Sequence, residues 1–119
     1  MIELIGEPHP GSPRPFSHAV RAGGMVFVSG HSAPQHGGSP AEETRAALHV
    51  MAAILKEAGT SMDRVVQVTM LLTDPADYEE CNEEYVLHFP NGLPARHTVR
   101  FGVPTRARVA FACIALAGP

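Results

Sequence analysis

Three segments carry apolar residues at nearly every position: "MVFVSG" (25–30), "VVQVTMLL" (65–72) and "VAFACIALA" (109–117). Runs of this length, rich in Val, Ile and Phe, are strands with both faces buried. Two shorter segments, "SHAVRA" (17–22) and "ARHTVRF" (95–101), read as further strands. Between them the period changes. In "SPAEETRAALHVMAAILKEAG" the residues Ala47, Leu48, Met51, Ile54 and Leu55 recur at i, i+3, i+4 and i+7, which puts one apolar stripe on a helix. Ser39 at the N-cap, Pro40 at N1 and Glu42 at N3 mark its start, and Gly59 its stop. "PADYEECNEEYVLHF" (75–89) is a second, more acidic helix with Tyr78, Cys81, Tyr85 and Phe89 on or near one face. The order β-β-α-β-α-β-β describes a four- or five-stranded mixed sheet with two helices on one face, an α+β sandwich forming one domain over residues 1–119.

Two helices cover only one face of such a sheet, yet the long strands are apolar on both. Self-association is the simplest way to bury the second face. Composition narrows the partners further. The net charge of −3 gives no basic footprint for nucleic acid. No apolar run reaches the roughly 18 residues of a membrane span. "MIELIGEPHPGSPRP" lacks the basic and apolar regions of a signal peptide, so a cytoplasmic protein is expected, its two cysteines reduced. Residues 8–15, rich in Pro and Gly, suit an extended arm. The 7 histidines are scattered rather than set at zinc-ligand spacing, so no metal is expected.

The strand "ARHTVRF" raises one chemical question. Arg96 lies inside it, and arginine is rarely buried without a partner. Strand alternation puts Arg96, Thr98 and Arg100 on one face and His97, Val99 and Phe101 on the other. The partner is a protein carboxylate such as Glu83 or Glu84, solvent, or the carboxylate of a ligand. The acidic run Glu79, Glu80, Glu83, Glu84 reads as a solvated helix face, Cys81 as partly exposed and Cys113 as core. Arg106 and Arg108, flanking the last turn, suit either a pocket rim or an interface.

Three quoted stretches, "RPFSHAVRAGGMVFVSGHSA", "ETRAALHVMAAILKEAGTSMDRVVQVTMLLTD" and "LPARHTVRFGVP" with "RVAFACIALA", resemble the YjgF family, the reactive intermediate deaminases or Rid proteins. The likeness spans nearly the whole chain. It implies a chorismate-mutase-like fold and a homotrimer with pockets at the subunit interfaces. It also implies hydrolysis of reactive enamines and imines, such as 2-aminoacrylate, to 2-keto acids and ammonia without a cofactor. Arg96 matches the family arginine that holds the substrate carboxylate. Its planar fork suits that task. Thr98 beside it is either a pocket residue or a sheet-former.

The remaining pocket positions depart from the family pattern. Members carry a tyrosine where this chain has Phe16, next to Ser17, and a glutamine after "VSG" where it has His31. The second glutamate of "VEIEAIA", which helps to place the hydrolytic water, aligns with Ala112. Imine hydrolysis needs an oriented water and a proton for the leaving nitrogen, and alanine supplies neither. His31 is the residue able to take over part of that role, with a histidine in a polar turn as the plainer alternative. Gly30 either lets a ligand approach the backbone or simply ends its strand. The expected site therefore comprises Arg96, Thr98, Phe16, Ser17, Gly30 and Ala112 for binding and His31 for catalysis. The other reading is a trimer that binds a small carboxylate or protects proteins without turning anything over.

Overall fold

In a computed structural model, residues 1–6, 14–34 and 38–118 are described, and part of the arm over residues 8–15 lies outside them. Strands β1 (Ile2–Ile5), β2 (Ala19–Ala22) and β3 (Met25–His31) lead into helix α1 (Pro40–Glu57). Strand β4 (Val65–Leu72), helix α2 (Tyr78–Val86), β5 (Ala95–Arg100) and β6 (Val109–Leu116) follow. The expected α+β architecture is present, with one strand more than the pattern gave. β1 pairs antiparallel with β2 through Ile2 and Ala22 to Ile5 and Ala19. Only Ile5 of β1 is buried, so its apolar pattern was too short to stand out.

The sheet order is β1-β2-β3-β6-β4-β5. All pairings are antiparallel except β4 with β5, where Val68 faces Arg96 and Met70 faces Thr98. A parallel pair needs a long crossover, and the segment containing α2 supplies it. β1 and β5 are the sheet edges.

The α1 stripe Ala47, Leu48, Met51, Ile54 and Leu55 is buried as its spacing implied. It packs on Val26, Val28, Val68, Met70, Phe111 and Cys113 from the same sheet face. Each fully buried Leu, Met or Phe contributes about 1.5–3 kcal/mol. At the start of α1 the Ser39 hydroxyl accepts from Glu42 N at 3.1 Å, and Gly59 just past its end holds φ at +83°. The opposite sheet face carries no helix. There Ile2, Leu4, Phe27, Val99 and Leu116 are exposed. No helix among the described residues is long and apolar enough to cross a membrane.

Two pattern readings change. Cys81 is fully buried rather than partly exposed, and burial raises its thiol pKa. The acidic face of α2 is not uniformly solvated: Glu84 is buried between Arg45 of α1 and His88.

Candidate functional site

The site begins with the turn that starts α2. Asp74 Oδ1 accepts from Ala76 N at 2.9 Å and closes a short helical turn over Pro75–Asp77. Arg108, at the entry to β6, fixes that turn. Its guanidinium donates to Asp77 Oδ2 at 3.1 Å, and its backbone N–H donates to the buried Glu43 Oε1 at 2.6 Å. Arg108 is thus a surface strut tying α1, the turn before α2, and β6 together. Tyr78 follows at the head of α2 and hangs over edge strand β5.

Arg96 and Thr98 share the helix-side face of β5, as alternation required, and both are half-buried. The Arg96 guanidinium lies 4.7 Å from the Tyr85 ring centroid and 5.8 Å from that of Tyr78, and Nη2 donates to Tyr78 Oη at 3.3 Å. Tyr85 is held in place by Phe89 and Phe111, with centroids 4.9 and 5.8 Å away. Burial pushes its phenol pKa up to about 12, and its Oη has no hydrogen-bond partner among the described residues. Neither Glu83 nor Glu84 pairs with Arg96. Both oxygens of Glu84 are taken, by Arg45 at 3.1 and 3.3 Å and by His88 at 2.6 Å. Among the described residues no carboxylate reaches Arg96. Beside it opens a cavity of about 480 Å³ lined by Leu72, Pro75, Tyr78, Thr98, Val99 and Arg100.

Phe16, Gly30 and Ala110 line a different hollow, on the uncovered sheet face. This groove of about 320 Å³ also takes in Ser29, Leu71 and Phe101. Ser17 stands behind it, its carbonyl accepting from Ser29 Oγ at 2.6 Å. Ala112 lies on the same face, paired with Thr69 of β4. Within one chain the expected binding residues therefore fall into two groups, one on each side of the sheet.

His31 joins neither group. Plain alternation would set it with Phe27 and Ser29 on the uncovered face. A β-bulge intervenes: Val28 pairs with Cys113 and His31 with Phe111, so Ser29 and Gly30 together oppose Ala112. The extra residue turns the imidazole to the helix side, where its Nε2 donates to His18 O at 3.2 Å and the His18 ring packs edge-on at 5.5 Å. Burial lowers the His31 pKa by disfavouring the charged ring. β3 and β5 are three strand spacings apart, about 14 Å, so His31 and Arg96 of one chain cannot hold one small ligand. Pattern reading missed Tyr78 and Tyr85 as neighbours of Arg96, although their i, i+7 spacing on α2 was visible.

This geometry defines a small α+β protein with a half-buried arginine on an edge strand, next to a cavity lined by its neighbours Tyr78 and Thr98. A family profile described as "Endoribonuclease L-PSP" matches residues 7–117. The human 2-iminobutanoate/2-iminopropanoate deaminase is 35% identical over 117 residues, covering 92% of this chain and 85% of that protein. The mitochondrial protein mmf2 of Schizosaccharomyces pombe is 38% identical over 92 residues, 74% of this chain and 73% of the relative. A crystal structure of a YjgF-family member from Neisseria meningitidis superposes with a TM-score of 0.89 at 30% identity, covering 100% of this chain and 97% of the other. The chain belongs to the YjgF/Rid family.

Proposed function

We propose that this chain is a cytoplasmic, self-associating Rid-type deaminase. It takes small 2-imino or 2-enamino carboxylates and releases a 2-keto acid and ammonia. The observation that carries this reading is Arg96: a half-buried guanidinium with no carboxylate partner among the described residues, beside an open cavity. A bidentate carboxylate satisfies the free edge of that guanidinium better than water does. The relative named as a 2-iminobutanoate/2-iminopropanoate deaminase supplies the substrate class. A net charge of −3 favours a small acid over a polyanion such as RNA.

In the reaction a water adds to the C=N carbon, its second proton passes to nitrogen, and the C–N bond breaks as the carbonyl forms. Binding at Arg96 fixes the carboxylate next to that carbon. A trimer joined through the uncovered sheet faces gives the apolar residues of that face a partner. It also brings the Phe16–Gly30 groove of one copy toward the Arg96 cavity of another.

One observation favours the non-catalytic reading. The groove that holds Phe16, Ser29, Gly30, Leu71, Phe101 and Ala110 offers hydroxyls and backbone but no titratable side chain. A coupled assay separates the two. A dehydratase generates 2-aminoacrylate or 2-iminobutanoate, and decay of the imine is followed with wild type and Arg96→Ala. Wild type should accelerate decay, and the variant should lose at least about tenfold of that acceleration. Identical decay with and without protein sinks the deaminase reading. Sedimentation equilibrium of wild type and Phe27→Glu tests the assembly: a trimer that falls to monomer is expected, and a wild-type monomer at micromolar concentration rules it out.

A further inference from the structure

The cavity beside Arg96 has a hydroxyl-bearing residue, Tyr78, in its own wall. Tyr78 is 40% exposed and lines the cavity. It accepts a hydrogen bond from Arg96 Nη2, so its own proton remains to be given. Asn82 Oδ1, on the next turn of α2, is buried and unpartnered. The ring is held over Arg96, and its backbone is anchored by the Asp74 cap and the Arg108–Asp77 bond. A phenol fixed at the rim of a cavity and already accepting from a guanidinium is a ready donor to a bound anion.

We propose that the Tyr78 hydroxyl is a ligand-binding group of this cavity, donating a hydrogen bond to the carboxylate of the bound molecule. The proposal rests on the reading of Arg96 as a carboxylate site and adds a donor to it from another element. The two groups approach from different directions, the guanidinium from β5 and the phenol from the head of α2. A carboxylate held between them has its orientation fixed, which turns the C2 carbon toward one wall of the cavity. Hydrogen bonding from Asn82, then the charge of Arg96, lowers the Tyr78 pKa below the usual phenol value. A more acidic phenol is a stronger donor, and it loses its proton at a lower pH.

The test is calorimetric titration of 2-oxobutanoate, a stable 2-keto carboxylate, into wild type, Tyr78→Phe and Arg96→Ala, with 2-butanone as the probe that lacks the carboxylate. Tyr78→Phe keeps the ring and should keep the wild-type melting temperature. It should bind 2-oxobutanoate about tenfold more weakly, the usual loss for one hydrogen bond to a charged group. It should not discriminate against 2-butanone. Affinity of wild type for 2-oxobutanoate should fall with rising pH as the phenol ionises, and the Tyr78→Phe profile should lack that fall. Tyr78→Phe binding within twofold of wild type, with an unchanged pH profile, overturns the proposal. If only Arg96→Ala weakens binding, the arginine site stands and the tyrosine is not part of it. If only Tyr78→Phe does, the tyrosine is confirmed as a ligand group and the arginine clamp fails. If neither does, both are wrong.

Discussion

Helix α2 has an arginine on each flank, and the two meet opposite environments. On one side Arg45, reaching over from α1, grips Glu84 with Nε and Nη2, while His88 takes the same carboxylate. On the other side Arg96, from β5, lies against the rings of Tyr78 and Tyr85, with a phenol as its one hydrogen-bond partner among the described residues. The arginine with the more exposed side chain, at 52%, is the neutralised one. The one drawn further into the structure is left with unfilled hydrogen-bonding capacity. Burying charge without an opposite charge costs stability, so a fold keeps such a group where something else uses it. A saturated ion pair reads as structure, and an unsaturated one beside a cavity reads as a site.

The largest expected effects come from truncating each arginine in turn. Arg96→Ala should weaken 2-oxobutanoate binding by roughly 30- to 100-fold, the loss of a charge-assisted bidentate pair, and leave the melting temperature within a few degrees of wild type. Arg45→Ala should do the reverse. It leaves the buried Glu84 with His88 alone, which lowers the melting temperature by a few degrees, while ligand affinity stays within about twofold. Titration calorimetry and thermal denaturation on the same samples decide the matter. If Arg45→Ala weakens binding as much as Arg96→Ala, the contrast between the flanks is false.

The acid limb of stability sharpens the same comparison. Burial disfavours ionised Glu84, but the hydrogen bonds from Arg45 and His88 outweigh it and hold the carboxyl below its usual range. With a depressed folded pKa, the unfolded chain binds more protons as pH falls toward and below the ordinary glutamate value. The contribution is therefore present above that value and is lost as pH drops through the folded pKa. Glu84→Gln should be less stable than wild type at pH 7 and should show a flatter decline below about pH 4.5. Denaturant midpoints measured from pH 7 to pH 3 give the two slopes. Parallel slopes would mean that Glu84 is not a stabilising carboxylate.

How much of this was legible in the sequence differs by link. The α1 face followed from its 3.6-residue period, its start from Ser39 and Pro40, and the pairing of Arg96 with Thr98 from strand alternation. The exposure of Phe27 and Leu116 was implicit in strands apolar on both faces with two helices to cover them. What did not show was tertiary. Nothing in "EECNEEY" distinguishes Glu84, which is buried and bonded to two side chains, from Glu83, which is exposed. That difference arises only when α1 brings Arg45 alongside. The role of Arg108 depends likewise on Asp77 and Glu43, which lie 31 and 65 residues away along the chain. Strand β1 was missed because three of its four residues are exposed.

His31 gives the smallest expected effect and the most direct check on pattern reading. As the residue after "VSG" it looks like a pocket group, and simple alternation puts it on the uncovered face. The bulge at Ser29 and Gly30 instead turns it inward, where it holds the His18 carbonyl and so anchors the segment that carries Phe16 and Ser17. A histidine whose folded pKa is lowered by burial binds fewer protons than its unfolded counterpart as pH falls below about 6.5. Its penalty therefore appears as pH drops from that value toward the folded pKa, and is absent above it. His31→Gln retains an N–H able to donate to the His18 carbonyl but cannot take up a proton. The variant should match wild type at pH 8 in stability, and in 2-oxobutanoate affinity within about twofold. It should then lose less stability than wild type between pH 7 and pH 5, read from urea midpoints. Loss of imine turnover in His31→Gln at unchanged affinity and stability would instead return this residue to the chemistry, supplied across a subunit interface to the Arg96 cavity of a neighbouring copy.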